Sequence, residues 1–87
     1  MNYLKEENNL LKIKDLQIGE VLINKWGNKC VVSHIEYIDP EDIYQVDVIW
    51  QTGANIKLYD TDLEEQEMKS TGEINQEFIT FLDNFKK

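Results

Sequence analysis

The sequence predicts a mainly β fold, a small barrel of about five antiparallel strands with a C-terminal α-helix. Three observations carry this expectation. Short apolar-alternating runs recur through the middle of the chain, as in "YQVDVIW" from Tyr44 to Trp50, and such alternation lets a strand bury one face. Glycines punctuate the runs, at Gly27 in "NKWGNKC" and Gly53 in "QTGA", as antiparallel hairpins require. After residue 70 the period changes. Ile74, Phe78, Phe81, Leu82 and Phe85 recur at helical spacing, with Ile79 beside the stripe.

The elements follow in order. Residues 1–9, "MNYLKEENN", are polar apart from Tyr3 and Leu4 and predict a frayed arm or a short, weakly docked helix. Leu11 and Ile13 alternate with lysines, as in a half-buried strand. Asp15 to Gly19 reads as a turn into an extended run, Glu20 to Asn24. Gly27 and Asn28 both tolerate positive φ, so a tight hairpin is expected there. Cys30 to Ile38 is rich in β-branched and aromatic residues and predicts a strand. "DPED" ends it, because Pro40 has no amide donor to continue a ladder.

On the Tyr44–Trp50 strand, Tyr44, Val46, Val48 and Trp50 are expected to face inward, and Gln45, Asp47 and Ile49 the other way. "QTGA" reverses the chain, and Asn55 to Tyr59 returns it with Ile56 and Leu58 inward. "DTDLEEQEM" predicts one short helical turn and a last short strand carrying Leu63 and Met68. Ser70 with Glu73 fits a capping box. The helix is therefore expected over residues 70–87, with Phe78, Phe81 and Phe85 packed on a barrel spanning residues 10–69. All of this fits one domain of 87 residues, which buries roughly 60–65% of its unfolded surface.

"DLQIGEVLINKWGNKCVVSHI" followed by "YQVDVIWQTGANIKLYDTDLEE" resembles the SH3-like barrels of the Tudor and KOW kind, over Asp15 to Met68. The resemblance implies the barrel fold, and that fold hosts many unrelated functions. A Tudor-like reading implies an aromatic cage for methylated lysine or arginine through cation–π contact. The pattern's aromatic slots fall on Trp50 and Tyr59, which are mostly core in such barrels. Trp26 and Tyr44 are then the candidate cage or contact residues. A KOW-like reading implies an RNA- or ribosome-associated module using Lys12, Lys14, Lys25, Lys29 and Lys57.

Composition restricts function. Seventeen Asp and Glu face nine Lys, with no Arg, for a net charge of −8. Such a charge opposes contact with phosphate backbones, and without Arg there is no bidentate fork for phosphate or guanine. Direct nucleic-acid binding is disfavoured. Cys30 is the sole cysteine, which excludes an internal disulfide and suits a reducing, cytoplasmic setting. Glu6, Glu7, Asp15 and Glu20 leave no long apolar run in the first twenty residues, so neither a signal peptide nor a membrane span is expected.

Candidate chemistry is sparse. Cys30 and His34 each occur once, too few for a tetrahedral metal site. Four residues apart on one strand, they lie about 13 Å apart, too far for a dyad. Cys30 is expected in the core and His34 at the surface. "DTD" at Asp60–Asp62 lacks the glycine and spaced bidentate glutamate of a calcium loop. No enzyme activity, metal or cofactor is expected.

The reading that remains is a small acidic cytoplasmic protein, monomeric or a weak homodimer, that acts by binding protein. By size and charge it is like the small accessory or inhibitor proteins of bacteria and phages. The expected partner is a basic protein surface, such as that of a nucleic-acid-handling enzyme. The expected contacts are Trp26, Tyr44, Asp60, Asp62, Glu64, Glu65 and Glu67. From residue 60 to 77, Asp60, Asp62, Glu64, Glu65, Glu67, Glu73 and Glu77 face only Lys69. Holding these like charges together carries no structural return legible in the sequence, and a basic partner turns repulsion into attraction. A solvated acidic face is the plain alternative.

The strand phase itself is testable. It buries Trp50 and exposes Trp26, so single-Trp variants should show a blue-shifted, quencher-resistant Trp50 and a red-shifted, acrylamide-sensitive Trp26. The reverse pattern means a one-residue slip, which turns every side chain to the other face.

Overall fold

The computed structural model describes residues 11–86, with residues 82, 83, 85 and 86 described by their backbone alone. Five strands form one antiparallel sheet: β1 (Glu20–Ile23), β2 (Lys29–Ile38), β3 (Ile43–Trp50), β4 (Asn55–Tyr59) and β5 (Lys69–Ile74). Helix α1 (Asp60–Glu65) joins β4 to β5, and α2 (Gln76–Lys86) follows β5. The sheet order is β4-β3-β2-β1-β5. The mainly β prediction holds, but the sheet is open, with β4 and β5 as its edges rather than as neighbours closing a barrel.

The alternation read in β3 sets the core. Val46 and Val48 are fully buried, and Tyr44 and Trp50 pack at the margin. Register places Val48 opposite Val32 and Ile56, Val46 opposite Ile35 and Leu58, and Trp50 opposite Cys30. Ile13, Leu16, Leu22, Cys30, Leu63 and Met68 complete the cluster. Ile56 lies on the exposed edge strand and is 43% accessible, not inward as expected.

The hairpins form where the glycines predict them. Gly27 has φ +87° and donates its N–H to the Asn24 carbonyl at 3.0 Å. Gly53 has φ +97° and donates to the Trp50 carbonyl at 2.7 Å.

The N-terminal expectation of a strand is corrected. Ile13–Asp15 is a 3-10 helix, and the Ile13 N–H donates to Asp60 Oδ1 at 2.9 Å. That bond, together with complete burial of the Ile13 side chain, replaces any strand pairing of residues 11–13. The predicted arm, residues 1–9, lies outside the described residues.

The region after β4 also differs. Leu63 and Met68 are core residues, but Leu63 sits on α1 and Met68 precedes β5. α1 begins with Asp62 Oδ2 accepting the Tyr59 N–H at 2.9 Å. It ends in a Schellman arrangement, with Glu67 N–H bonded to the Glu64 carbonyl at 3.1 Å and Met68 N–H to the Leu63 carbonyl at 2.9 Å. Glu67 stands at φ +51°, the left-handed position that this motif needs.

Ser70 and Glu73 lie on β5 and form no capping box. β5 is exposed throughout, and Thr71 Oγ1 donates to the Val21 carbonyl at 2.9 Å. The helix starts later, where Asn75 Oδ1 accepts the Phe78 N–H at 3.0 Å.

α2 lies on the face away from the core. Val21, Val31 and Ile49 are successive register partners on that face, and Phe78 shares a hollow of ≈ 180 Å³ with Val31 and Ile49. Phe81 is 59% exposed, contrary to the expectation that it packs on the strands; Phe85 lies outside the described side chains. The first turn is anchored at Gly19, whose carbonyl accepts the Asn75 N–H at 2.8 Å. Gly19 has φ +89°, and a Cβ there would stand 2.6 Å from Ile79 Cγ1.

Gly19→Ala should therefore cost about 2–4 kcal/mol, from left-handed strain plus overpacking. Urea denaturation of a double-mutant cycle with Ile79→Ala checks the second part. The Gly19→Ala penalty should shrink by about 1 kcal/mol once Ile79 is shortened. Additive penalties would mean that α2 does not bear on Gly19.

Candidate functional site

The candidate contact residues divide between two ends of the sheet. At one end is the β1–β2 turn. Asn24 is its organiser: Oδ1 accepts the N–H groups of Trp26 at 3.0 Å and Asn28 at 2.9 Å. Its Nδ2 donates to Gln66 Oε1 at 3.1 Å, and the Lys25 N–H donates to the Gln66 carbonyl at 2.9 Å. These bonds clamp the turn to the end of α1. Trp26 stands out from the clamped turn, 66% exposed. Lys25 Nζ lies 4.8 Å from the Trp26 ring centroid and 3.9 Å from Glu67 Oε2. Glu64 and Glu65, both exposed, are the last residues of α1, next to Gln66.

At the other end is the tip of the β2–β3 hairpin. Tyr37 and Tyr44 are register partners with ring centroids 5.0 Å apart. The Tyr37 hydroxyl donates to Asp42 Oδ1 at 2.9 Å, and this bond to a carboxylate raises the Tyr37 pKa above its ordinary value. Asp42 has φ +58°. Beside the tip lies an open groove of ≈ 520 Å³, lined by Glu41, Asp42, Ile43, Tyr44, Tyr59 and Asp60 among others.

Trp26 and Tyr44 thus do not share a cage. β2 starts beside the Trp26 turn and reaches Tyr44's partner Tyr37, about 26 Å further on at ~3.3 Å per residue. Trp50 is half-buried against the core, beside a hollow of ≈ 250 Å³ shared with Asn24, Asn28, Gln51 and Thr52. Two of the predicted acidic contacts have structural work: Asp60 accepts the Ile13 N–H and Asp62 the Tyr59 N–H. The sequence reading missed Asn24 and Gln66. The only signal for Asn24 was its place at the head of the turn, and Gln66 lies 42 residues away from it.

The lysines proposed for a basic face are partly committed. Lys57 Nζ lies 3.2 Å from Asp47 Oδ1, and Lys25 pairs with Glu67. Cys30 is buried, and desolvation pushes its thiol up to about 12. A thiol so placed is a poor nucleophile. His34 is exposed, with Nε2 3.9 Å from Glu36 Oε1. Among the described residues no group of three or more His, Cys, Asp or Glu could hold a metal ion. Nor is any helix among them long and apolar enough to cross a membrane. No family model, curated protein or solved structure matches the chain.

Burial of Cys30 predicts an alkaline limb in stability. The ordinary thiol value is 9.0 and the folded value about 12. Between them the unfolded chain loses the proton and the folded chain keeps it. Stability is intact below pH 9 and falls as pH rises toward 12, by at most about 1.4 kcal/mol per pH unit from this group. Urea unfolding at pH 8 and pH 10.5 should show a larger loss for the parent than for Cys30→Ala, by about 1–2 kcal/mol. Parallel losses would mean that the thiol is not desolvated.

Proposed function

We propose that this chain is a small acidic module that acts by binding protein rather than by catalysis. Its partner is basic at the contact, as on a nucleic-acid-handling enzyme. The observation that carries this reading is the clamped turn. Trp26 is exposed on a backbone fixed by Asn24 and Gln66, with Glu67 at its side and Glu64 and Glu65 on the adjoining helix end. A turn whose backbone is fixed before binding loses little backbone freedom on binding, and carboxylates at the adjoining helix end steer a basic surface inward. The pairing of Lys57 with Asp47 at 3.2 Å weakens the alternative of a KOW-like lysine face. The separation of Trp26 from Tyr44 weakens the Tudor-like cage.

We take the sheet as an open form of an SH3-like small barrel. The β1–β4 meander, with glycine turns at Gly27 and Gly53, supports that likeness. The setting is taken as cytoplasmic, consistent with an unpaired, buried Cys30. Among chains of this kind, small accessory or inhibitor proteins of bacteria and phages fit the size and charge best.

Affinity capture supplies the partner, and its kinetics test the reading. The association rate should fall steeply between about 50 and 300 mM salt, as the Debye length shortens from ~14 to ~6 Å. Replacing Glu64, Glu65 and Glu67 by Gln should slow association more than it speeds dissociation. Trp26→Ala should act mainly on dissociation. An on-rate indifferent to both salt and the triple change returns these carboxylates to a merely solvated face.

A further inference from the structure

The groove beside the β2–β3 tip follows from a mismatch of lengths. The β3–β4 ladder stops at Gln45 opposite Tyr59, and the chain then turns into α1 at Asp60. β3 continues for Tyr44 and Ile43 beyond that last pair, opposite Tyr37 and Ile38 of β2. Where two more β4 residues would have lain, the first turn of α1 stands instead, and the space between is the ≈ 520 Å³ groove.

Half of its lining is apolar or aromatic: Ile38, Ile43, Tyr44 and Tyr59. Ile43 and Tyr59 are each 41% exposed, and Tyr44 is steadied by the Tyr37 ring. Around them stand Glu41, Asp42 and Asp60, and among the described residues no lysine lines the groove. Two of these carboxylates are held in position, Asp42 by the Tyr37 hydroxyl and Asp60 by the Ile13 N–H. A carboxylate has about four acceptor sites, so each keeps capacity for a ligand.

We propose that this groove receives a lysine- or arginine-bearing segment of a protein partner, its apolar neighbours against Tyr44 and Tyr59 and its cation among Glu41, Asp42 and Asp60. The volume lies in the range of sites that enclose a small ligand or a few side chains. The carboxylates select a cation and repel acidic or phosphate groups. The inference rests on the reading of the chain as a binder of basic protein, and it assigns that chemistry to a second place, away from Trp26.

The test is an NMR titration of the full chain with a short synthetic peptide alternating valine and lysine, and with its valine–glutamate counterpart. The lysine peptide should shift amides of residues 41–44 and 59–61, and the glutamate peptide should not. The double change E41Q/D42N should weaken binding about five- to tenfold; Asn tolerates the left-handed conformation at residue 42, so the turn is kept. E41Q alone, which leaves residue 42 untouched, should weaken it about two- to threefold. The triple change of Glu64, Glu65 and Glu67 to Gln should leave this affinity unaltered. Shifts centred on Trp26 and the end of α1 would overturn the groove assignment and leave the acidic-module reading standing. Binding of neither peptide at millimolar concentration would overturn both. Equal binding of the two peptides would remove the charge argument and the assignment with it.

Discussion

The rest of the structure depends on how the chain crosses from one edge of the sheet to the other. β4 and β5 are opposite edges, so residues 60–68 must pass over the core face before β5 can pair with β1. The crossing is fixed at each stage. Asp62 holds its start on the Tyr59 N–H, and Asp60 ties it to the 3-10 helix through Ile13. Leu63 and Met68 enter the core, at 1% and 3% exposure. Gln66 then grips the β1–β2 turn through Asn24 and Lys25. An open sheet has an apolar face to cover, and burial of a side chain such as Leu63 contributes about 1.5–3 kcal/mol. The same few residues therefore cover the core, seat the N-terminal turn and hold out Trp26.

This crossing also marks the limit of what the sequence discloses. The central strands were legible because Val46 and Val48 alternate with polar residues, and because Gly27 and Gly53 sit where the chain reverses. β5 was not, because "KSTGEI" has no apolar alternation: it is an exposed edge that stays in place through its ladder with β1 and the Thr71 hydroxyl. Ser70 and Glu73 have the spacing of a capping box, and so local pattern favoured a helix there; strand pairing with β1 outweighs it, and Asn75 takes the capping role. Ile13 alternates like a strand residue, yet its backbone partner lies 47 positions away at Asp60. The acidic run that looked idle in one dimension is partly structural in three, through Asp60 and Asp62.

At the candidate site the same division appears. Exposure of Trp26 was legible, because a residue beside a Gly-Asn reversal points away from the sheet. The clamping of its turn was not, since that depends on Asn24 meeting Gln66. Tyr44 was legible as a residue near a strand end. The groove beside it was not, because its existence depends on β4 ending two residues short of β3. Sequence thus suggested which side chains can make contacts, and tertiary structure decides that they belong to two places rather than one.

The two places share a backbone feature, a carboxylate residue at positive φ. Among the described residues, Asp42 and Glu67 are the non-glycine residues with positive φ. A left-handed conformation costs an L-residue roughly 1–2 kcal/mol, and glycine would remove it at either position, as it does at Gly27 and Gly53. Both strained positions carry a carboxylate instead. Glu67 lies beside Lys25 and Trp26 at one end, and Asp42 lies on the groove with Tyr37 at the other. Neither has a burial benefit, since both are exposed. The Tyr37 bond offsets part of the strain at Asp42, and the loose 3.9 Å pair with Lys25 offsets little at Glu67, because exposed ion pairs contribute only ~0–1 kcal/mol. On the proposed reading the remainder is strain kept for a binding role, and backbone strain tends to cluster at such functional sites. A fold optimised for stability alone would place glycine at residue 67; a surface meant to meet a cation has reason to keep the glutamate.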